Sequence, residues 1–112
     1  MSALYKKQVK FSGMVAMLIN KAYALGYEVV LGDAFRDPRV HGPTGTKLGY
    51  GHPRSCHKLA LAIDLNLFKD GKYLTKTEDH KSLGEWWESI GGTWGGRFSD
   101  GNHYSLEHEG MK

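Results

Sequence analysis

Four residues carry the chemistry that this sequence offers: His57, Asp64, Asp100 and His103. Zinc accepts imidazole nitrogen and carboxylate oxygen at about 2.0–2.2 Å. Two histidines and one carboxylate around such an ion leave a fourth position open, the mark of a catalytic rather than a structural site. An ion of this kind lowers the pKa of a water to about 7, and a nearby carboxylate completes general-base hydrolysis. Asp100 precedes His103 across Gly101-Asn102, and a turn there brings both side chains near one point. Asp100 either closes the site as a fourth ligand or stands beside it as a base.

His57 and Asp64 place a demand on the backbone. On one straight strand they would stand about 23 Å apart and on opposite faces. Sharing an ion requires the chain to bend between them, around Lys58 to Ala60. His57 then lies on a loop, and Asp64 on a strand face whose small neighbours, Ala60 and Ala62, leave room for a metal and a substrate.

The elements that must do this positioning are legible in part. Phe11, Val15, Leu18, Ala22 and Leu25 recur at helical spacing, with Met14 and Met17 beside them. This predicts a helix over 12–25, capped by Ser12 and stopped by Gly26. "YEVVLGDAF" reads as a strand. Residues 37–56 hold all three prolines and four glycines and read as a long irregular loop. "LALAIDLNLF" alternates, with Leu59, Leu61, Ile63, Leu65 and Leu67 on the core face and Ala60, Ala62, Asp64 and Asn66 on the other. Asp70-Gly71 predicts a hairpin turn into a short second strand. "SLGEWWESIGG" reads as a helix with a Ser82/Glu85 capping box, ended by Gly91-Gly92. Capping explains Glu85 better than catalysis does. "NHYSLEHE" predicts a last strand with Tyr104 and Leu106 on one face and His103 and Ser105 on the other. The sum is an α+β domain: a small, mostly antiparallel sheet with helices packed on one side.

Composition narrows the function. The 112 residues make one domain, 1–112, with 40% apolar and 24% charged residues. No apolar run spans a membrane and no secretory signal opens the chain, so the expected location is the cytoplasm of the producing cell. The single cysteine, Cys56, excludes an internal disulfide and a CxxC zinc site. Cys56 beside His57 reads as packing, because adjacent extended residues point opposite ways. The net charge of +3 and the pI near 9.0 give mild attraction to polyanions. The lysines are scattered, which disfavours a nucleic-acid partner. His41, His52, His80 and His108 read as surface or core histidines, and Trp86 and Trp87 as core and helix-surface residues.

"SCHKLALAIDL" resembles the Ser-x-His-x-x-Gly-x-Ala-x-Asp motif of the LAS-type zinc peptidases, the M15 family. "WGGRFSDGNHY" resembles the second motif of that family, a Trp-Gly-Gly run followed by Asp-x-x-His and an aromatic. The resemblance extends from about Tyr27 to Ser105 and implies a hedgehog/D-Ala-D-Ala-peptidase-like fold. It implies zinc held by His57, Asp64 and His103, with Asp100 as the catalytic base. Arg36, in "AFRDPR", matches an arginine that anchors a substrate carboxylate or stabilises the oxyanion. Ser55 matches the motif serine and is expected to hydrogen-bond near the site. Trp94 either packs beneath the site or lines it as a substrate-binding residue, and Gly95-Gly96 allows a close backbone approach. The implied partner is bacterial peptidoglycan, met by a monomer acting alone without stable membrane association. The Asp-x-x-His form is closer to phage L-alanyl-D-glutamate endopeptidases, which would reach the wall through a membrane lesion. D-Alanyl-D-alanine carboxypeptidase is the alternative activity, and a non-catalytic zinc module that binds wall fragments or a partner is the rival of another class. Two departures stand out. Ala60 occupies the glycine position, at a cost of about 1 kcal/mol if φ is positive there. Ser105 replaces an acidic or amide residue.

Overall fold

The computed structural model describes residues 2–37, 39, 43–45 and 54–112. Most of the predicted 37–56 loop, with His41 and His52, lies outside the described residues. The fold opens with helix α1, Ala3–Ala24. This helix is longer than the predicted 12–25. Its cap is Ser2, whose hydroxyl accepts from the Tyr5 N–H at 3.1 Å, not Ser12. Residues 3–11 are mostly good helix formers, so nothing stops the helix from starting at the earlier cap. Ser12 sits inside it and donates back to the Gln8 carbonyl at 3.2 Å. The C-terminus ends as expected. Tyr27 N–H reaches Ala22 O and Gly26 N–H reaches Tyr23 O, both at 3.0 Å, the paired bonds of a glycine-terminated helix.

Strand β1 covers Glu28–Leu31, shorter than predicted. Strand β2, Ala62–Lys69, is the centre of the sheet, and β3 is Lys72–Leu74. The turn between them has Asp70 and Gly71 both at positive φ, 53° and 75°, as a two-residue hairpin turn requires. Leu59 and Ala60 are not part of the strand; they belong to a preceding turn. Helix α2 covers Lys81–Ser89, followed by β4, Thr93–Trp94, and β5, His103–Ser105. The Ser82/Glu85 capping box does not form. Helical winding already begins in a 3₁₀ turn at Thr77–His80, where the Asp79 carboxylate accepts the Lys76 N–H at 3.0 Å. Glu85 is exposed instead, with its carboxylate 4.0 Å from Arg97.

All strand pairings are antiparallel. The second half of β2 pairs with β1 and β3, its first half pairs with β5, and β5 pairs with β4. The core forms where Leu61, Ile63, Leu65 and Leu67 meet Phe11, Met14, Leu18 and Ala22 of α1 and Leu83 and Trp87 of α2. Met17, in contrast to Met14, is exposed. Trp87 stands edge-on to Phe11 and to Tyr104, with centroids 6.0 and 6.1 Å apart, and donates its indole N–H to Ser105 O at 3.0 Å. The helices therefore cover one face of the sheet. Asp64, Asn66 and Phe68 alternate onto the other face, each half-buried.

Candidate metal centre and cleft

The bend demanded between His57 and Asp64 is a 3₁₀ turn, Cys56–Leu59. Ser55 caps it: its hydroxyl accepts the His57 N–H at 3.1 Å. The turn closes through Ala60 in the left-handed region, at φ 55° and ψ 38°. The family glycine position therefore does need positive φ, and alanine accepts the strain. His57 is fixed three ways. Ser55 holds its N–H, Arg36 N–H reaches its carbonyl at 2.8 Å, and its ring Nδ1 lies 2.8 Å from Ala34 O. Asp64 is held on β2 by its own N–H to Asp33 O at 2.7 Å and by Gly32 N–H to its carbonyl at 2.9 Å. His103 sits opposite Asp64 in the β2–β5 register.

Behind His103, the turn 99–102 is anchored from below. Asp100 N–H reaches Gly95 O at 2.8 Å, and His103 N–H reaches Asp100 O at 3.1 Å. Gly95 must be glycine, since a Cβ there would lie 2.7 Å from the His103 Cβ and collide with the Asp100 carbonyl. The close approach made possible by Gly95-Gly96 is thus to the site's own backbone and to the Trp94 ring. Trp94 is buried, and its indole N–H donates to Gly101 O at 2.8 Å. It supports the turn from beneath and is not among the residues lining the cleft, which corrects its reading as a substrate-binding residue.

The three expected donors converge. His57 Nε2 lies 3.2 Å and His103 Nδ1 3.6 Å from the same oxygen, Asp64 Oδ1. One donor atom from each of the three residues lies within 4.8 Å of the others. A tetrahedral zinc site with bonds of about 2.1 Å has donor–donor edges of about 3.4 Å, so the spacing fits. The tautomer fits as well. A carbonyl oxygen only accepts, so Ala34 O puts the proton of a neutral His57 on Nδ1. Nε2 then turns a lone pair toward a carboxylate, an arrangement that calls for a cation between them. Burial alone would raise the Asp64 pKa. The two imidazoles that face it, His103 and His57, instead bring it down to about 2, so the carboxylate is anionic at neutral pH. His103 Nε2 is buried and has no hydrogen-bond partner among the described residues. Its ring packs edge-on against His57 and Phe98, at 5.2 and 5.7 Å.

Asp100 stands just outside the three donors, with Oδ2 3.9 Å from His103 Nδ1. Its pKa is raised, first by burial against the site wall and then by the charge of Asp64, against the pull of His103. A cleft of about 610 Å³ opens over these groups. That size lies within the range of small-ligand sites. Arg36 and Ser55 line it, both nearly buried, and Arg36 also lies 3.6 Å from Asp33. Arg54, Phe98 and the turn Gly110–Lys112 complete the wall. Sequence reading missed these five residues. Two of them carry a signal: Phe98 is the aromatic inside the second motif, and Arg54 directly precedes the first. The turn is pinned by the pair His108–Met111 and by the Cys56 thiol, which donates to Met111 O at 3.2 Å. Burial pushes the Cys56 thiol up to about 11, which removes it as a nucleophile.

The sequence matches a family model described as D-alanyl-D-alanine carboxypeptidase of peptidase family M15, over residues 49–106. A comparison with curated proteins finds no match. The matched residues contain both histidines, Asp64 and Asp100, that is, the whole of the convergent site. Motif, fold and donor geometry therefore agree with the match, and the chain belongs to the M15 metallopeptidases.

Proposed function

We propose that this chain is a zinc-dependent hydrolase of the peptidoglycan stem peptide, cutting the L-alanyl-D-glutamate bond as a phage endolysin. The observation that supports it most is the meeting of two imidazole nitrogens on one anionic oxygen, with the His57 tautomer set by Ala34 O. His57, Asp64 and His103 would hold the zinc, which when bound would supply Lewis acidity and bring the pKa of water toward neutrality. Asp100, close to His103 yet outside the donor set, takes the proton of the attacking water and returns it to the leaving amine. Its raised pKa suits a group that must both accept and release a proton. Arg36 presents a guanidinium to the cleft, where it stabilises the developing oxyanion or anchors a substrate carboxylate. Ser55 acts through the backbone, by capping the turn that carries His57.

A second bond, D-alanyl-D-alanine, is favoured by the description of the matching family model. Purified muropeptides separate the two: a new N-terminal D-glutamate supports the first, free D-alanine the second. Chelation is expected to stop either reaction and added zinc to restore it. Asp100→Ala is expected to keep the metal while the rate drops by a factor of about 10² to 10⁴. A wild-type protein that binds zinc and wall fragments but turns over neither substrate is a binding module, and the hydrolase reading fails.

A further inference from the structure

Asp100 stands between two hollows. On one side is the cleft over His57, Asp64 and His103, with Arg36 in its wall. On the other is a smaller hollow of about 190 Å³, bounded by the exit of β3 and the 99–102 turn. Asp100 is the one residue, among those lining them, that belongs to both. The smaller hollow is polar. Thr75, Thr77, His80, Ser99 and Asn102 line it, and Lys76 is the one lysine or arginine among the described residues that do. Its walls are fixed. The Lys76 backbone is clamped by Asp79, N–H to carboxylate and carbonyl to N–H, each at 3.0 Å. Tyr73 stacks on Phe68, with centroids 5.0 Å apart, and its hydroxyl donates to Asn66 Oδ1 at 3.3 Å.

The proposed reaction gives this arrangement a direction. A group that protonates the leaving amine must lie beside the scissile nitrogen. With the acyl side toward Arg36, the amine-side residue passes Asp100 and meets the smaller hollow. We propose that this hollow is the pocket for that residue, and that Lys76 selects substrates by pairing with its free α-carboxylate. The volume falls below the about 300 Å³ of a drug-sized site and suits one residue. Both candidate bonds offer the required group. D-Glutamate in a stem peptide continues through its γ-carboxyl and keeps its α-carboxylate, and a terminal D-alanine carries its own. Lys76 is thus a specificity-determining residue. The assignment rests on the proposed reaction.

The test uses the zinc-loaded protein and two substrate pairs, one for each bond, with either an α-carboxylate or a carboxamide on the amine-side residue. The wild type is expected to prefer the carboxylate by about tenfold or more in kcat/KM, mostly through KM. Lys76→Met is expected to lose that preference while cleaving the carboxamide as the wild type does, and Lys76→Arg to regain it. Binding of the released amine-side fragment, by calorimetry, should weaken by a similar factor in Lys76→Met. The pair in which the preference appears tells D-glutamate from D-alanine. A Lys76→Met protein that keeps the wild-type preference, or loses equally on both members of a pair, overturns the pocket assignment alone. A wild type inactive on all four substrates overturns the proposed reaction and the pocket with it.

Discussion

His57 illustrates how far residue type and spacing reach. Its pairing with Asp64 and His103 was legible because the chemistry allows few donors and two motifs flank them. Its fixation by Ala34 O and by Arg36 N–H was not, since backbone partners leave no trace in side-chain identity. Trp94 shows the opposite case. An aromatic beside a ligand-bearing turn reads equally well as wall or as floor, and only packing against Gly96 and Gly101 decides for the floor. His80 was read as a bland histidine, and it is buried, with Nδ1 2.8 Å from the Tyr104 hydroxyl. Burial lowers its pKa from 6.5 to about 4, against the charge of Asp79. The unfolded chain therefore binds more protons than the folded one between those values, and stability rises with pH across that window. On acidification His80 contributes a loss that begins near pH 6.5 and is complete near pH 4, worth at most about 3 kcal/mol. Urea melts of the wild type and His80→Gln across this range should show their difference shrinking as pH falls. A constant difference would mean that His80 is not held neutral.

Elements were legible in kind but not in their ends. The apolar period located α1, the capping pattern and the Gly91-Gly92 stop located α2, and alternation located β2. The caps went astray because each helix had two serviceable starts, and the earlier one won: Ser2 over Ser12, and the Asp79-stabilised turn over Ser82. The bend before β2 followed from the chemistry alone, through the need to bring His57 back over Asp64. Its weak point is Ala60 at φ 55°. Ala60→Gly relieves a left-handed strain of about 1–2 kcal/mol but adds freedom to the unfolded chain. The net expectation is a gain of up to about 1 kcal/mol in denaturant unfolding, with zinc content unchanged. Gly95→Ala should act in the opposite sense. Its Cβ would press on His103, so metal affinity should fall together with a stability loss of about 1–3 kcal/mol. A variant that keeps full metal affinity would show the 95–103 turn to be more yielding than its packing indicates.

At the scale of the whole molecule, the two faces of one small sheet divide the labour. Helices α1 and α2 bury the aliphatic face, and Asp64 and His103 lie on the opposite face where β2 and β5 meet, with His57 brought over them from the preceding turn. Alternation in β2 foretold this division, since Ile63, Leu65 and Leu67 on one face leave Asp64 on the other. It could not foretell that residues 106–111 return to the ligand-bearing turn, because that contact runs through the thiol of Cys56 to the carbonyls of Leu106 and Met111. The sulfur is thereby kept protonated and committed elsewhere, one residue from an imidazole donor. Among the described residues the convergent donor set is nitrogen and oxygen, a set that suits zinc and cobalt. A cobalt-substituted sample should accordingly be coloured by visible ligand-field bands while lacking the near-ultraviolet charge-transfer absorption of a sulfur-bound ion.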